Sequence, residues 1–574
     1  MAYEVSFAGT NDPQLLDLLR KVSTCVERSE KPAASIFQLR ARARADVDRL
    51  GGALHSQGFF AAVVTQKIDE EATPVMVRFT VDDVRPFVFD AVTVTTPDNA
   101  AEPESPPAQA LPRATDLGLV QGAPALSKVI VAGAEKLLED LRNNGHPFPV
   151  LIRQDVAADV KTRLTRVTYV VDPGPQAVFG LVKFTGLKDV KESFLTPLIP
   201  WKEGDPYQEK LVAQLQSRLL DLGLFSTAEV APDKNVDNGR VVIKAALTER
   251  KKRTIKAGLN YKTDDGPGAN LSWEHRNLFG SAEKLRVNLV GSRVEQLAEA
   301  TFEKPSFLSP RQNLLASLRV GAQDTDAYKG EFATIQAGLT RKLTKNISVG
   351  AGIGYRETQI EKDAANPDNN LKRWGLFFIP LEGVLDTRDD ALDPRKGILV
   401  GVKFTPYRDM QGHNLNFMKT ELAGSVYLHL LEKPSLILAL RAGFGSIEGA
   451  TAQDIPPDVR FYAGGGATVR GYGYQTVGPL RGTKPLGGAS LFNFGGEIRA
   501  QVSELVGLAA FLDGGNVFDK AVPDVSKNLL YGVGVGVRIK SPVGPLRVDI
   551  ATPLERRSKV DSPFQLYVGI GQAF

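Results

Sequence analysis

The sequence predicts a two-part fold: three small α+β modules, each of β-α-α-β-β plan, followed by a 16-stranded antiparallel transmembrane β-barrel. Three observations predict it. In the first 250 residues a long helical pattern ends three times in Leu-x-x-x-Gly and is followed each time by an apolar strand start. From about Arg253 the helical pattern gives way to period-two alternation. Within the alternating half, Phe461–Leu486 forms a Gly-, Tyr- and Arg-rich stretch too long for a tight hairpin and too rich in glycine for a helix.

The first module starts with a strand (Tyr3–Phe7) and a helix (Pro13–Val22). A long helix (Phe37–Gln57) stops at Gly58, and strands at Ala62–Ile68 and Val75–Asp82 close the unit. The second has Phe87–Thr95, a long helix at Ala125–Asn144 stopping at Gly145, and strands at Val150–Asp155 and Arg163–Asp172. The third has Ala177–Thr185, a helix at Val190–Pro197 and a long helix at Pro206–Leu222 stopping at Gly223. Strands at Thr227–Ala231 and Arg240–Thr248 complete it. Glycine suits a helix end because it takes the left-handed stop without a Cβ clash, and Leu211, Leu215, Leu219 and Leu222 show the apolar helical spacing. Repetition of one strand-helix-helix-strand-strand unit marks an array. The boundaries fall at 1–85, 86–174, 175–250 and 251–574, and the Pro/Ala/Glu-rich stretch Pro97–Pro112 reads as an insertion in the second module. Edge strands such as Tyr3–Phe7, Ala62–Ile68 and Thr227–Ala231 could capture an extended peptide, or simply pair with the next module.

Composition narrows the function classes. The 574 residues carry 70 Lys+Arg against 66 Asp+Glu, a net charge of +4, which gives no support to nucleic-acid binding. Five histidines lie scattered without ligand spacing, and the single cysteine, Cys25, has no partner for an intramolecular disulfide. We therefore expect no metal, no cofactor and, without a grouping of nucleophile, base and orienter, no enzyme. No apolar run reaches the length of a membrane helix, which leaves a β-barrel open because its lipid face appears only at alternate positions. No signal peptide is visible at Met1-Ala2-Tyr3; with a barrel following, the expectation is a trimmed precursor.

In the second half Tyr531, Val533, Val535, Val537 and Ile539 face one side while Gly532, Gly534, Gly536 and Arg538 face the other. Leu436, Leu438, Leu440 and Phe444 alternate with Ile437, Ala439, Arg441 and Gly443, and Phe564, Leu566, Val568 and Ile570 repeat the pattern near the end. One apolar face and one of small or charged residues is the texture of an outer-membrane strand. Sixteen such stretches can be counted, and closure is compulsory in lipid because an open edge strands backbone groups. Loops longer than about 12–15 residues are commonly functional or disordered. The Phe461–Leu486 stretch contains no acidic group, and its Arg470-Gly471-Tyr472 tip suits insertion into a polar cavity, where a guanidinium forks onto carboxylates. A surface loop, or a phosphate cradle at Gly471-Tyr472-Gly473, remains the alternative.

Three tandem modules and such a barrel resemble the outer-membrane protein assembly superfamily, whose modules are called POTRA domains. Val469-Arg470-Gly471-Tyr472 matches its loop-six motif. Phe511-Leu-Asp-Gly-Gly-Asn-Val-Phe518 matches the strand that receives this loop, and Asp386-Thr-Arg-Asp389 with Asp393-Pro-Arg-Lys-Gly397 its mid-barrel signature. The resemblance covers essentially the whole chain. It implies that Arg470 reaches into the lumen to pair with Asp513, with Glu497 as a second acceptor. Asp386, Asp389, Asp390 and Asp393 read as a polar hairpin turn, since they lack the glycine and closing glutamate of a calcium loop. Three modules look like the TamA branch, the outer-membrane subunit of the translocation and assembly module; the five-module insertases and two-module secretion transporters fit the length less well.

Within that resemblance a seam is expected between the first barrel strand (Thr254–Asn260, containing Gly258) and the last (Phe564–Phe574, containing Gly569 and Gly571), the pair not joined by a hairpin. Glycines weaken a strand and permit kinking, and the resemblance places a kink near Gly571; they could equally make room inside the barrel. The implied role is to help insert or translocate autotransporters and other β-barrel clients in the Gram-negative outer membrane. The POTRA modules would then stand in the periplasm. The implied partners are an inner-membrane-anchored, periplasm-spanning protein (TamB in this family), unfolded outer-membrane clients and outer-membrane lipids. The alternative is a two-partner-type secretion channel that exports a dedicated substrate and uses loop six as a plug.

Overall fold

The computed structural model describes residues 2–29, 31, 33–97, 112–113, 115–262, 266–368, 371–526, 528–541, 544–570 and 572. The chain divides into two compact units. One takes in most of the first 248 residues, and the other holds Glu249–Phe574 with two short earlier pieces, Leu187–Leu198 and Leu222–Leu224.

The first unit contains three separate three-stranded sheets built on one scheme, with the last strand of each in the centre. In the first, Val75–Asp82 runs parallel to Tyr3–Ala8 and antiparallel to Val63–Asp69. In the second, Leu164–Asp172 stands between Val88–Thr95 and Val150–Asp159 in the same senses. In the third, Arg240–Glu249 lies between Val178–Thr185 and Phe225–Asp237. The strands Tyr3–Ala8, Val63–Asp69 and Phe225–Asp237 are thus edges of their own sheets.

Helices Ile36–Ser56, Ser127–Asn143 and Glu209–Asp221 each lay an apolar face on a sheet. Leu39, Leu50 and Leu54 pack with Val77 and Phe79; Leu137 and Leu141 pack with Tyr169 and Val171. The Leu-x-x-x-Gly punctuation acts as a stop. Gly58 has φ +84°, and the next amide, Phe59, donates back to the Leu54 carbonyl at 3.1 Å. The His146 amide does the same to Leu141 after Gly145. Of the four leucines at helical spacing in the third module, Leu215 and Leu219 are fully buried, whereas Leu211 and Leu222 are half-exposed.

Cys25 is buried beside Asp46, which accepts hydrogen bonds from Ser23 Oγ (2.7 Å) and the Cys25 amide (2.8 Å). Burial, followed by the Asp46 charge, pushes the Cys25 thiol up to about 12. That makes it a packing residue rather than a nucleophile.

The second unit is a closed antiparallel barrel of seventeen strands among the described residues. One more strand is present than the sixteen stretches expected, because one of them is divided. The stretch expected near 374 is two strands, Lys372–Phe378 and Leu381–Asp386, and both pair with Ile347–Asp363 on one side and Gly397–Asp409 on the other. Pro380, between them, has no amide to give to the ladder, so one pass of chain across the wall is broken in two. The alternation has the expected facing: Val535, Val537, Leu440 and Val568 are exposed on the outside, while Gly532, Gly536, Arg538, Ala439, Gln565 and Tyr567 are buried within. No described helix is long and apolar enough to cross a membrane.

Candidate functional site

Residues 449–489 leave the wall after strand Ser435–Glu448 and return to it at strand Ser490–Gln501. Between these points they fold into the barrel. Phe461, Ala463, Val469, Tyr472 and Val477 pack with Tyr328, Trp374, Leu376, Phe417, Ile447 and Val517 from the wall in a shared apolar cluster. The polar end of the loop goes deeper, where the facing strand positions are small.

Arg470 is fully buried and is held almost entirely by carboxylates. Its Nε donates to Asp513 Oδ2 at 2.6 Å and its Nη2 to Asp513 Oδ1 at 3.2 Å. Nη1 reaches Glu497 Oε2 at 2.9 Å and Asp549 Oδ2 at 3.3 Å. The backbone amide of Arg470 also donates to Asp513. The guanidinium carbon stands 3.3 Å from the centroid of the Phe511 ring. Asp513, Glu497 and Asp549 are inward residues of three strands, Val506–Phe518, Ser490–Gln501 and Leu546–Pro553. They therefore converge without any one strand having to bend.

Four further arginines complete the cluster. Arg441 lies 3.2 Å from Asp513, Arg499 Nε donates to Glu497 at 2.8 Å, Arg538 bonds both Glu497 and Asp549, and Arg547 stands 3.7 Å from Asp549. Among the described residues, five guanidiniums meet three carboxylates. Arg441 also donates to the carbonyls of Ala467 and Thr468, holding the loop backbone just ahead of the tip.

Space for this arrangement comes from glycine. A Cβ on Gly532 would run into the Arg470 carbonyl, on Gly536 into Asp549, and on Gly495 into Asp513. Gly471 has φ +99° and lies so close to Thr552 and Pro553 that a side chain there would meet their backbone at 2.8 Å and 3.1 Å. Tyr472 is buried, with its hydroxyl 3.2 Å from the carbonyls of Tyr531 and Glu555. Val469, also buried, belongs to the apolar cluster. The structure therefore gathers Val469, Arg470, Gly471, Tyr472, Asp513 and Glu497 in one place. It adds Asp549, Arg441, Arg538 and Tyr567, which sequence reasoning missed. The only signal for Asp549 was its inward position in an alternating strand, two residues from Arg547 and Ala551, which it shares with other lumen residues.

The same loop is pinned to the opposite wall. Arg460 is bidentate to Asp363 at 2.8 and 3.0 Å, and Asp458 accepts from Arg356 Nε (2.8 Å) and Nη2 (2.6 Å) and from Thr358 (2.8 Å). Both pairs are nearly fully buried on the loop side. The loop thus spans the lumen from strand Ile347–Asp363 to the strands between Ser490 and Pro553.

The acidic run forms a polar turn. Asp389 Oδ1 accepts the amides of Arg395 (3.0 Å) and Lys396 (3.2 Å), Asp390 Oδ1 those of Leu392 and Asp393, and Asp386 pairs with Arg388. Asp393 accepts from Gln572 at 2.7 Å, beside the last strand.

The first barrel strand is Arg253–Lys262 and the last is Gln565–Ile570. Among the described residues they pair only at Tyr261↔Val568 and Lys262↔Tyr567, whereas the first strand matches its other neighbour, Gly266–His275, along its whole length. Thr254 and Gly258 thus face strand Gly266–His275, opposite Glu274 and Asn270, and have no described partner across the seam. The register runs directly into Gly569, which has no side chain to reinforce the ladder. Gly571 and Phe574 lie outside the described residues. On the module side, Glu249 accepts the amides of Lys188, Asp189 and Val190 at 2.8–3.0 Å. Partial burial raises its pKa, but these three donors outweigh that and hold it below the usual range.

Comparison with known proteins adds the following. Residues 277–574 match the Omp85 superfamily domain, and residues 177–250 match POTRA, the surface antigen variable number repeat. An outer membrane protein assembly factor BamA from Neorickettsia risticii is 24% identical over 438 residues, covering 73% of this chain and 58% of that protein. The chain thus spans little more than half the length of that curated relative. The crystal structure of BamA from Haemophilus ducreyi lacking POTRA domains 1–3 superposes with a TM-score of 0.71 at 18% identity, over 84% of this chain and all of that one. CdiB from Acinetobacter baumannii does so with a TM-score of 0.50 at 14% identity, over 84% of this chain and 89% of that one. At these identities the likeness is one of fold.

Proposed function

The chain belongs to the Omp85 superfamily, and on that premise we propose that it is an outer-membrane assembly factor that inserts β-barrel clients through its own seam. The observation that carries this reading is the seam itself. Ten residues of the first strand are paired on one side, and only two have a described partner on the other. The backbone groups of an open strand edge are costly in a hydrocarbon environment. An incoming client strand would satisfy them by β-augmentation, and each hairpin added would carry the new edge outward. The modules supply further strand edges in an aqueous compartment, which this reading places in the periplasm. Arg470 and its carboxylates take no part in bond chemistry; their task is to fix the loop across the lumen while the seam works.

Within the superfamily, three repeated sheets favour the TamA branch. Autotransporters would then be among the clients, outer-membrane lipids the surroundings, and an inner-membrane-anchored protein of the TamB kind the partner of the first module. A second reading has its own support. A loop pinned to both walls fills the lumen as a plug would, and a secretion channel for one dedicated substrate would need such a plug.

One experiment separates them. Liposomes with and without the protein receive an unfolded outer-membrane client, and protease protection is followed. Faster appearance of a folded, membrane-embedded client supports insertion, and its loss when Tyr261→Cys and Val568→Cys are joined by a disulfide ties it to the seam. Client recovered inside the vesicles supports export and overturns the first reading.

A further inference from the structure

Tyr567 has a double attachment that neither the loop motif nor the seam accounts for. Its backbone forms one of the two described pairs across the seam, opposite Lys262. Its side chain points into the barrel, 2% exposed, in a small cluster with Phe511 and Ala551. There the hydroxyl meets the loop tip, accepting from the Gly471 amide at 3.1 Å and donating to the Tyr472 carbonyl at 3.3 Å. Phe511, its neighbour in that cluster, is the ring under the Arg470 guanidinium. Gly466 also lies against the Tyr567 ring, where an added Cβ would come within 3.1 Å.

We propose that Tyr567 is a positioning residue that couples the loop tip to the seam: while the tip is docked, its hydroxyl contact keeps the last strand in register with the first, and withdrawal of the tip lets the seam part. The proposal rests on the seam reading above. The physical case is one of proportion. The last strand pairs with strand Leu546–Pro553 at six described positions and with the first strand at two. Against those two described pairs, two hydrogen bonds from the side are comparable in number. Both reach the backbone of the tip, at Gly471 and Tyr472, immediately after the residue that three carboxylates anchor. Movement of Arg470 is thereby transmitted to the last strand through a hydroxyl rather than through repacking.

The test uses the full chain in phospholipid vesicles with Cys25→Ala, Tyr261→Cys and Val568→Cys, following disulfide formation across the seam under a fixed oxidant. Tyr567→Phe keeps the ring and its packing and removes only the hydroxyl. It is expected to slow cross-linking by roughly tenfold, the order expected from losing two neutral hydrogen bonds. Arg470→Ala should slow it similarly, and the two together no more than either alone, since they break one linkage. Tyr169→Phe, which removes a hydroxyl bonded within the second module to the Ile130 carbonyl at 2.6 Å, serves as the control and should change nothing. Cross-linking at the parent rate in Tyr567→Phe, or slowing by Arg470→Ala and Tyr567→Phe that multiplies as for independent sites, overturns the coupling. Failure of the insertion reading looks different: a fully disulfide-locked seam would then still insert clients, whatever Tyr567 does to the cross-linking rate.

Discussion

Replacing Asp513 with alanine should destabilise the barrel more than replacing Arg470, even though Arg470 sits at the centre of the cluster. The reason is the imbalance of charge. With Arg470→Ala each carboxylate keeps a guanidinium: Asp513 keeps Arg441 at 3.2 Å, Glu497 keeps Arg499 and Arg538 at 2.8 and 3.1 Å, and Asp549 keeps Arg538 and Arg547. No charge is orphaned, so with the carboxylates re-pairing to the remaining arginines the net loss stays near that of one charge-assisted hydrogen bond, roughly 1.5–3 kcal/mol. With Asp513→Ala, Arg470 loses its bidentate partner and its amide's acceptor, and Arg441 loses its carboxylate. That leaves two guanidiniums underpaired in a site already rich in cations. Removing one partner of a buried pair costs about 3–5 kcal/mol. Asp513→Asn, which keeps the shape and one acceptor oxygen, should fall between. Urea unfolding in detergent micelles measures the order, with tryptophan fluorescence as readout, because Trp374 lies in the apolar cluster that the loop completes. A larger loss for Arg470→Ala than for Asp513→Ala would refute the argument from charge imbalance.

Other outcomes follow from the same geometry. Gly532→Ala should expel the loop tip, because the new methyl occupies the position of the Arg470 carbonyl; limited proteolysis should then cut within residues 461–486 several-fold faster than in the parent. Asp363→Ala should leave the buried Arg460 guanidinium without its carboxylate and loosen the loop at the far wall, read as increased ion conductance in planar bilayers without loss of the folded barrel. Cys25 should resist alkylation at pH 9 until the first module unfolds. Its folded pKa, near 12, lies above the unfolded value near 9, so its contribution to stability is complete below pH 9 and fades as pH rises towards 12. Cys25→Ala should therefore blunt the alkaline destabilisation of that module, measured by circular dichroism between pH 8 and 11.

Much of this was legible in the chain. Period-two alternation at Tyr531–Ile539 assigns inside and outside correctly because a strand has only two faces. The helix stops at Gly58, Gly145 and Gly223 are equally readable, because a single residue carries the geometry. What escaped the sequence is whatever depends on register between distant strands. Asp549 and Arg547 look like ordinary inward residues until the four neighbouring strands from Ser490 to Pro553 are placed in one wall. Tyr567 looks like one more aromatic of the last strand until Gly471 is seen against its hydroxyl. The division of one pass at Pro380 could not be read, because a proline inside an alternating run breaks the ladder without breaking the alternation. The seam was located from topology alone, and topology does not say how many positions of two terminal strands will pair.

The spacing of the contacts that hold the loop also bears on the order in which this chain can assemble. Arg470 finds Glu497, Asp513 and Asp549 at separations of 27, 43 and 79 residues. The far-wall pairs need 97 and 102, and the seam joins the two ends of the barrel sequence. Because the entropy of closing a loop rises with its length, nearer contacts form with less opposition and set the early steps. The loop tip and its receiving strands can therefore come together as one local unit while the first strands are still unplaced. The lumen is then filled before it is enclosed, and the wall closes around a loop that is already in position.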